Sequence, residues 1–435
     1  MTGGRGRFAA WSWTVGALIL LAVLFSWISY RAGWYFWACG HFRAAQQALD
    51  KYDWREAHDH LEACLRGWPN DPAAHLLAAR AARRLELLDE AEEHLNTCQG
   101  LQGGETQATE VERALVRVHR GDLAGVEEFL RNSIRHDDTD AVEILDILST
   151  ALILDYRAHD AQDCLDDLLR RQPDHFHALV RRAWTAQSMS RYALAIEYLD
   201  KALALRPAAD SVRLSMAEIQ VAIGRFADAQ KHFEQLQERQ PDNPSVLFGL
   251  ARCLGGSGQK EQAIQFLERL LAKYPNDWKA LAERGWLSEL DRPAEAESYL
   301  RRAESLAPPD LPLLVRLSDC LRLLGKDEEA RAYREKADRL KADFQRAADL
   351  GDLIREKSPN DPALRHELAC ILLRLGKQQD ALHWFQTALE KDPTHRPTHE
   401  ALAAFYEKVG GFDQAAYHRR LLQRLDSAQT GGSRQ

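Results

Sequence analysis

An all-α chain of repeated helix pairs is the fold that the sequence predicts, on three observations. Ala, Leu, Arg, Glu and Gln dominate the 435 residues, while Gly (25) and Pro (15) fall at intervals, which is helix-forming chemistry punctuated by turns. Proline recurs at Pro173, Pro207, Pro241 and Pro275, each 34 residues after the last, and again from Pro359 to Pro393. A small residue recurs in the same phase, closing "GRFADA" at Ala229, "GQKEQA" at Ala263, "GKDEEA" at Ala330, "GKQQDA" at Ala381 and "GGFDQA" at Ala415. The same slot without its glycine closes at Ala57, Ala91, Ala161, Ala195 and Ala296, and Val126 fills it in "GDLAGV". A fixed period of this length marks a stack of similar units.

Bulk numbers narrow the function. At 45% hydrophobic and 28% charged the chain is ordered, and its length suits two or three ordinary domains or one elongated one. Net charge is −8 with no basic stripe able to neutralise phosphates, so nucleic acid is not an expected partner. The seven cysteines are scattered singly and form no C-x-x-C pair, so neither a zinc framework of thiolates nor a disulfide scaffold is expected. They read as small side chains buried on helices.

Taken in order, the first element is a short basic tail at 1–7. It is followed by twenty-three uncharged residues from Phe8 to Tyr30, centred on "VGALILLAVLF". At about 1.5 Å per residue these reach across a bilayer of about 30 Å, so 8–30 reads as a transmembrane helix in contact with lipid. Trp11, Trp13 and Trp27 flank its centre, and an aromatic juxtamembrane segment at 31–38 carries Trp34, Tyr35, Phe36 and Trp37. No A-x-A site suggests cleavage, and the bulky Trp37 argues against a lipoprotein-type cut before Cys39. The basic residues on either side almost tie. The short tail with Arg5 and Arg7 favours an inside amino terminus and an extracytoplasmic, periplasmic bulk domain.

From Cys39 to Leu425 the repeat takes over. "DSVRLSMAEIQVAIG" and "RFADAQKHFEQLQERQP" are two amphipathic helices with apolar residues spaced by three and four. Gly224 between them suits the left-handed conformation that closes a helix. Ala229 lets the paired helices approach, and Pro241 ends the second. The tetrapeptide "PNDP" occurs at Pro69–Pro72 and Pro359–Pro362 and reads as a start signal, with Asp as N-cap and Pro at the first helical position. A unit of this length and pattern resembles the tetratricopeptide repeat family. The family's early Trp, Gly and Tyr are mostly missing, and Ala79, Ala183, Ala217, Ala251, Ala369 and Ala403 stand in place of the first-helix glycine. The resemblance implies a right-handed α-solenoid of about 11 helix-turn-helix repeats. Its first helices would line a concave surface that binds an extended peptide or a partner helix.

The period slips once. Ala330 and Ala381 are 51 residues apart, half a unit more than 34. The stretch between them lacks Pro and Gly from Asp327 to Leu350, so an irregular element is expected at about 327–358. A second helix lengthened to nearly thirty residues preserves the alternation of helices better than one extra short helix. The last element, 426–435 with "SAQTGGSRQ", reads as a disordered tail.

Chemistry is sparse. No phosphate-cradling glycine loop, H-E-x-x-H or nucleophile elbow occurs, so the chain is expected to be no enzyme and to need no cofactor or small-molecule substrate. His395 and His399 are separated by Pro397 and read as turn and helix-start residues. The acidic turn His136–Asp140 reads as a helix start capped by Asp140 or Thr139. Arg80, Arg83 and Arg84 lie on the first helix of the second repeat and Arg181 and Trp184 on that of the fifth, and by repeat phase several of them fall where the family's groove residues lie. They form the candidate partner-binding groove. The family's Lys/Asn clamp for a terminal carboxylate is not matched. "ILDILSTALIL" is more apolar than a one-sided helix needs, which makes Ile144, Leu148, Leu152 and Ile153 a candidate contact or self-association patch. The expected function is a membrane-anchored, non-catalytic scaffold of bacterial type that binds proteins or peptides. The alternative is a periplasmic chaperone or envelope-assembly factor holding unfolded clients.

Overall fold

The computed structural model describes residues 31–431 apart from 50, 52, 137–139 and 156. The basic tail at 1–7 and the expected membrane span at 8–30 lie outside the described residues. Among those described, no helix is long and apolar enough to cross a membrane. All regular structure in the described residues is helical. The chain divides into unit 1, up to Val212, and unit 2, from Arg213 onward.

Unit 1 begins with α1 over 31–49, where Trp34, Tyr35, Phe36 and Trp37 are exposed on the helix. It continues through α2 (Trp54–Gly67), α3 (Pro72–Arg84), α4 (Leu88–Gln102), α5 (Gln107–His119) and α6 (Glu127–His136). It then runs through α7 (Ala141–Leu154), α8 (Ala158–Arg171), α9 (Phe176–Ser188) and α10 (Tyr192–Leu205). Helices pair along the chain, α3 on α4, α7 on α8 and α9 on α10, and each pair rests on its neighbour through contacts such as α2 on α3 and α8 on α9. The α7 segment corrects one expectation. Ile144, Leu148 and Leu152 are buried, and Ile153 packs against the same core cluster, so they form no open patch. The cause is that α7 is covered by α5, α6 and α8 together, which uses its surplus apolar surface inside the unit.

Unit 2 holds α11 (Asp210–Ala222, whose first turn contains the unit boundary), α12 (Phe226–Arg239), α13 (Pro244–Gly256), α14 (Lys260–Lys273), α15 (Trp278–Ser288) and α16 (Pro293–Leu306). After α17 (Leu311–Leu323) comes α18 (Asp327–Glu356), a single helix of 30 residues. Its first half packs on α17 and its second on α19 (Pro362–Arg374), while Arg374 and Arg346 tie its middle to α19 through Asp343 and Glu367. The unit closes with α20 (Gln378–Lys391), α21 (Arg396–Val409) and α22 (Phe412–Gly431). The last helix runs past Leu425 into the segment expected to be disordered, and an ion pair from Arg396 to Asp426 holds that extension.

Local chemistry explains the joints. Asp71 accepts a hydrogen bond from Ala74 N–H and Asp361 from Ala363 and Leu364 N–H, each with proline next in the helix, so both "PNDP" copies are capped starts. Gly224, Gly258, Gly325 and Gly376 are left-handed, and the amide that follows each one reaches back five residues, as in Arg225 N–H to Gln220 O at 2.8 Å. Glu86 and Ser190 adopt the same conformation without being glycine. Every small slot from Ala57 to Ala415 is buried, as are the first-helix alanines Ala79, Ala183, Ala217, Ala251, Ala369 and Ala403. In α15 that position is Gly285, where a Cβ would lie 2.8 Å from Leu300 Cγ. The cysteines are all unpaired, and burial pushes the Cys64, Cys253 and Cys320 thiols up to about 11, which leaves them inert.

Candidate functional site

The charged rows of α3 and α7 build the site. On α3, Arg80, Arg83 and Arg84 fall on one face by helical spacing; on α7 and its N-cap, Asp140, Glu143 and Asp146 do the same. Arg83 is fully buried between them. It donates to Glu112 of α5, also fully buried, and to Glu143 at 2.5 Å, while its third nitrogen lies 3.5 Å from His119 Nε2. Arg80 donates to Asp140 at 3.1 Å and to Glu112 at 3.5 Å, and Arg84 donates to Glu143 at 3.0 Å. Arg181 on α9 completes the row by donating to Asp146 and, at 2.8 Å, to Thr150. Burial alone would push the Glu143 carboxyl up; the charges of Arg83, Arg84 and Arg80 outweigh it and hold the group at about 2.

Beside this network lies a cleft of about 1210 Å³, walled by the α1–α2 junction, α3, α7, the start of α9 and the end of α10. Two cations rest on aromatic faces in its wall, Arg84 over Trp54 at 4.9 Å and Arg206 over Phe176 at 4.1 Å. Leu49, Leu77, Val142 and Leu205 give it an apolar lining, and Lys51 and Asp174 sit exposed on it. His175 caps α9 by accepting from Ala178 N–H at Nδ1, which leaves its Nε2 proton turned to Asp146 at 4.0 Å. Paired ions, stacked guanidinium groups and aliphatic walls equip such a cleft to hold and orient a polypeptide.

Of the residues expected in the groove, Arg80 and Arg84 line the cleft, Arg181 braces its edge through Asp146, and Arg83 lies beneath it as an internal ion. Trp184 is half exposed on α9 and does not line it. Asp140 is the N-cap of α7, but its carboxylate pairs with Arg80 and makes no capping bond; Thr139 lies outside the described residues. His399 is buried, bonded to His418 at 2.9 Å and to the Pro393 carbonyl at 3.0 Å, while His395 is the N-cap of α21. Trp54, Phe176, Arg206, Glu143 and Asp146 carry the cleft without having been singled out. The one sequence signal for the acids is their three-residue spacing, which mirrors that of Arg80 and Arg83 sixty-three residues earlier.

Family models described as tetratricopeptide repeat match residues 42–99, 157–210, 186–245, 224–284 and 362–395, together about half of the chain. A TPR repeat-containing protein of Pseudomonas aeruginosa is 26% identical over 185 residues, 42% of this chain and 29% of that protein. Cellulose synthase operon protein C of Pseudomonas fluorescens is 26% identical over 131 residues, 29% of this chain and 10% of that protein. The matches thus span less than a third of each relative's length. Among solved structures, a tetratricopeptide repeat protein from Parabacteroides merdae is similar with a TM-score of 0.35 and 17% identity, covering 65% of this chain and 98% of that one.

Proposed function

This chain belongs to the tetratricopeptide repeat family, and from that premise we propose that it is a non-catalytic scaffold whose unit 1 cleft takes a polypeptide partner. The observation that carries the reading is the cleft wall itself, where Trp54 and Phe176 offer aromatic faces already backed by Arg84 and Arg206. Aromatic and arginine side chains in one recess are what binding hot spots are made of. Both signs of charge and four aliphatic side chains suit an amphipathic segment with apolar anchors and charged flanks. First helices opening at Phe176, Asp210, Pro244, Trp278 and Leu311 stand 34, 34, 34 and 33 residues apart, which supports a unit of about 34 residues, and about eleven of these would fill 39–425.

The scaffold is proposed to be tethered by residues 8–30, on the support of their uncharged length and tryptophan flanks, with the repeats on the extracytoplasmic face. Carbonate extraction should leave the full chain in the membrane pellet; its release to the supernatant overturns the tether. Cross-linking capture from native membranes tests the cleft. The full chain should yield one stoichiometric partner, and Trp54→Ala and Phe176→Ala should each reduce it about tenfold or more. A set of unrelated unfolded clients would instead make the protein a chaperone, and unchanged capture by both variants would remove the cleft from the account.

A further inference from the structure

We propose that His58, Glu62, Glu90 and His94 bind a divalent transition metal of the zinc class, clamped between α2 and α4 of unit 1. His58 and Glu62 are four residues apart on α2, and Glu90 and His94 are four apart on α4, so each helix presents one imidazole and one carboxylate on a single face. The two faces meet. Ligand atoms of His58, Glu62 and Glu90 all lie within 4.8 Å of one another. His58 Nε2 is 2.5 Å from Glu90 Oε1, and His94 Nε2 is 3.5 Å from Glu62 Oε1 and 3.8 Å from Glu90 Oε1. Four ligands at about 2.0–2.2 Å around a tetrahedral zinc stand about 3.3–3.6 Å apart; His58, Glu62 and Glu90 already converge, and His94, which approaches from the side of the two carboxylates, would move in as the fourth.

A proton assignment points to the cation independently of this spacing. His75 Nε2 lies 3.0 Å from the Pro69 carbonyl oxygen, which can only accept, so that nitrogen carries the proton. With that single proton on the His75 ring, Nδ1 accepts and the nitrogen facing it, His94 Nδ1 at 3.0 Å, donates. His94 Nε2 is left as a lone pair directed at two carboxylates. A proton there would form ion pairs at 3.5 and 3.8 Å, and a metal ion is the other cation that this lone pair and the two carboxylates can share. His75 then acts as a positioning residue that fixes the tautomer of a metal ligand, as metal-bound imidazoles require. On the other side, metal replaces the proton between His58 Nε2 and Glu90. That proton moves to His58 Nδ1, which faces Asp59 Oδ1 at 3.8 Å.

The donor set selects the metal. Two imidazole nitrogens with two carboxylate oxygens suit zinc and its neighbours; calcium and magnesium want a shell of oxygens, and copper(I) wants sulfur. Glu62 is half exposed, which gives the ion a way in. The site does not rest on the scaffold reading.

Titration of the full chain with cobalt(II) tests it. One ion per chain should bind with the intense visible absorption of four-coordinate cobalt, and zinc should displace it and raise the melting temperature. Magnesium should do neither. Glu62→Gln, at a half-exposed position that folding tolerates, and His58→Gln should each weaken binding at least tenfold, and His75→Phe about tenfold through the lost tautomer. Absence of saturable cobalt binding, a weak six-coordinate spectrum, or equal affinity in Glu62→Gln and His58→Gln would each overturn the site.

Discussion

Arg83 shows how far one side chain can depart from its surface reading. Its spacing beside Arg80 and Arg84 places it on the family's groove face, yet it has no exposed surface and donates to Glu112 and Glu143. A buried charge persists only when its donors are met, and removing one partner strands the other in a low-dielectric site. Glu112→Ala should therefore lower unfolding free energy by about 3–5 kcal/mol in denaturant titration, since it leaves Arg83 half-paired. A loss below about 1 kcal/mol would mean that Glu143 alone satisfies the charge. Arg84 differs because its guanidinium, although paired with Glu143, stacks on Trp54 in the cleft wall and does not lie beneath it.

At the scale of the element, one turn geometry between paired helices recurs with different residues in it. Leu87 N–H reaches Ala82 O at 2.9 Å and Arg191 N–H reaches Ala186 O at 2.8 Å, although Glu86 and Ser190 hold the left-handed position that is glycine in Gly224 and Gly258. Packing of the helix pair thus outweighs the intrinsic cost, which is about 1–2 kcal/mol for a side chain in that region. Ser190→Gly should raise stability by up to about 1 kcal/mol, offset in part by the greater freedom of glycine when unfolded, read as a shifted denaturation midpoint at constant slope. No change or a loss would show that the serine side chain stabilises the turn by itself. The long α18 follows from the same punctuation read in reverse. Without Pro or Gly to stop it before Gly351, the helix continues until the Ser358–Pro359 joint, and Leu350 and Ile354 give its second half a core of its own.

Across the whole molecule, histidine sets the response to pH. In unit 2, His399 and His418 face each other at 2.9 Å between α21 and α22, an arrangement that needs one neutral ring to accept from the other. Burial first, and then His399, hold the His418 imidazole below its ordinary range. Burial does the same for His366 in unit 2 and for His175 and His177 in unit 1. Groups depressed in the folded state bind fewer protons there than when unfolded. Their contribution is present above the ordinary imidazole range and is lost as pH falls through the depressed values. The chain should therefore be less stable at about pH 5 than at about pH 8, by about 1 kcal/mol for the His399–His418 bond alone. Glu218 and Glu289, raised by burial, act in the opposite sense, so His418→Gln in denaturant titrations at both pH values isolates the imidazole share. A variant with unchanged pH dependence would refute that assignment.

Much of the fold was legible because its determinants are local. Caps at Asp71 and Asp361, the left-handed Gly224 and the small slot at Ala229 act within a few residues of themselves, and a repeated unit states each of them many times over. Little of the cleft was legible. Nothing near Trp54 in the sequence refers to Arg84, nor near Arg83 to Glu143, sixty positions on. The apolar run at Ile144 looked surplus only because the sequence cannot tell how many neighbours a helix has. The sequence by itself determined where helices start, stop and pair, since hydrogen bonding and backbone torsion settle those choices residue by residue. Only the tertiary structure decided which arginines are internal ions and which line a surface, because that depends on the packing of α3, α5 and α7 against one another.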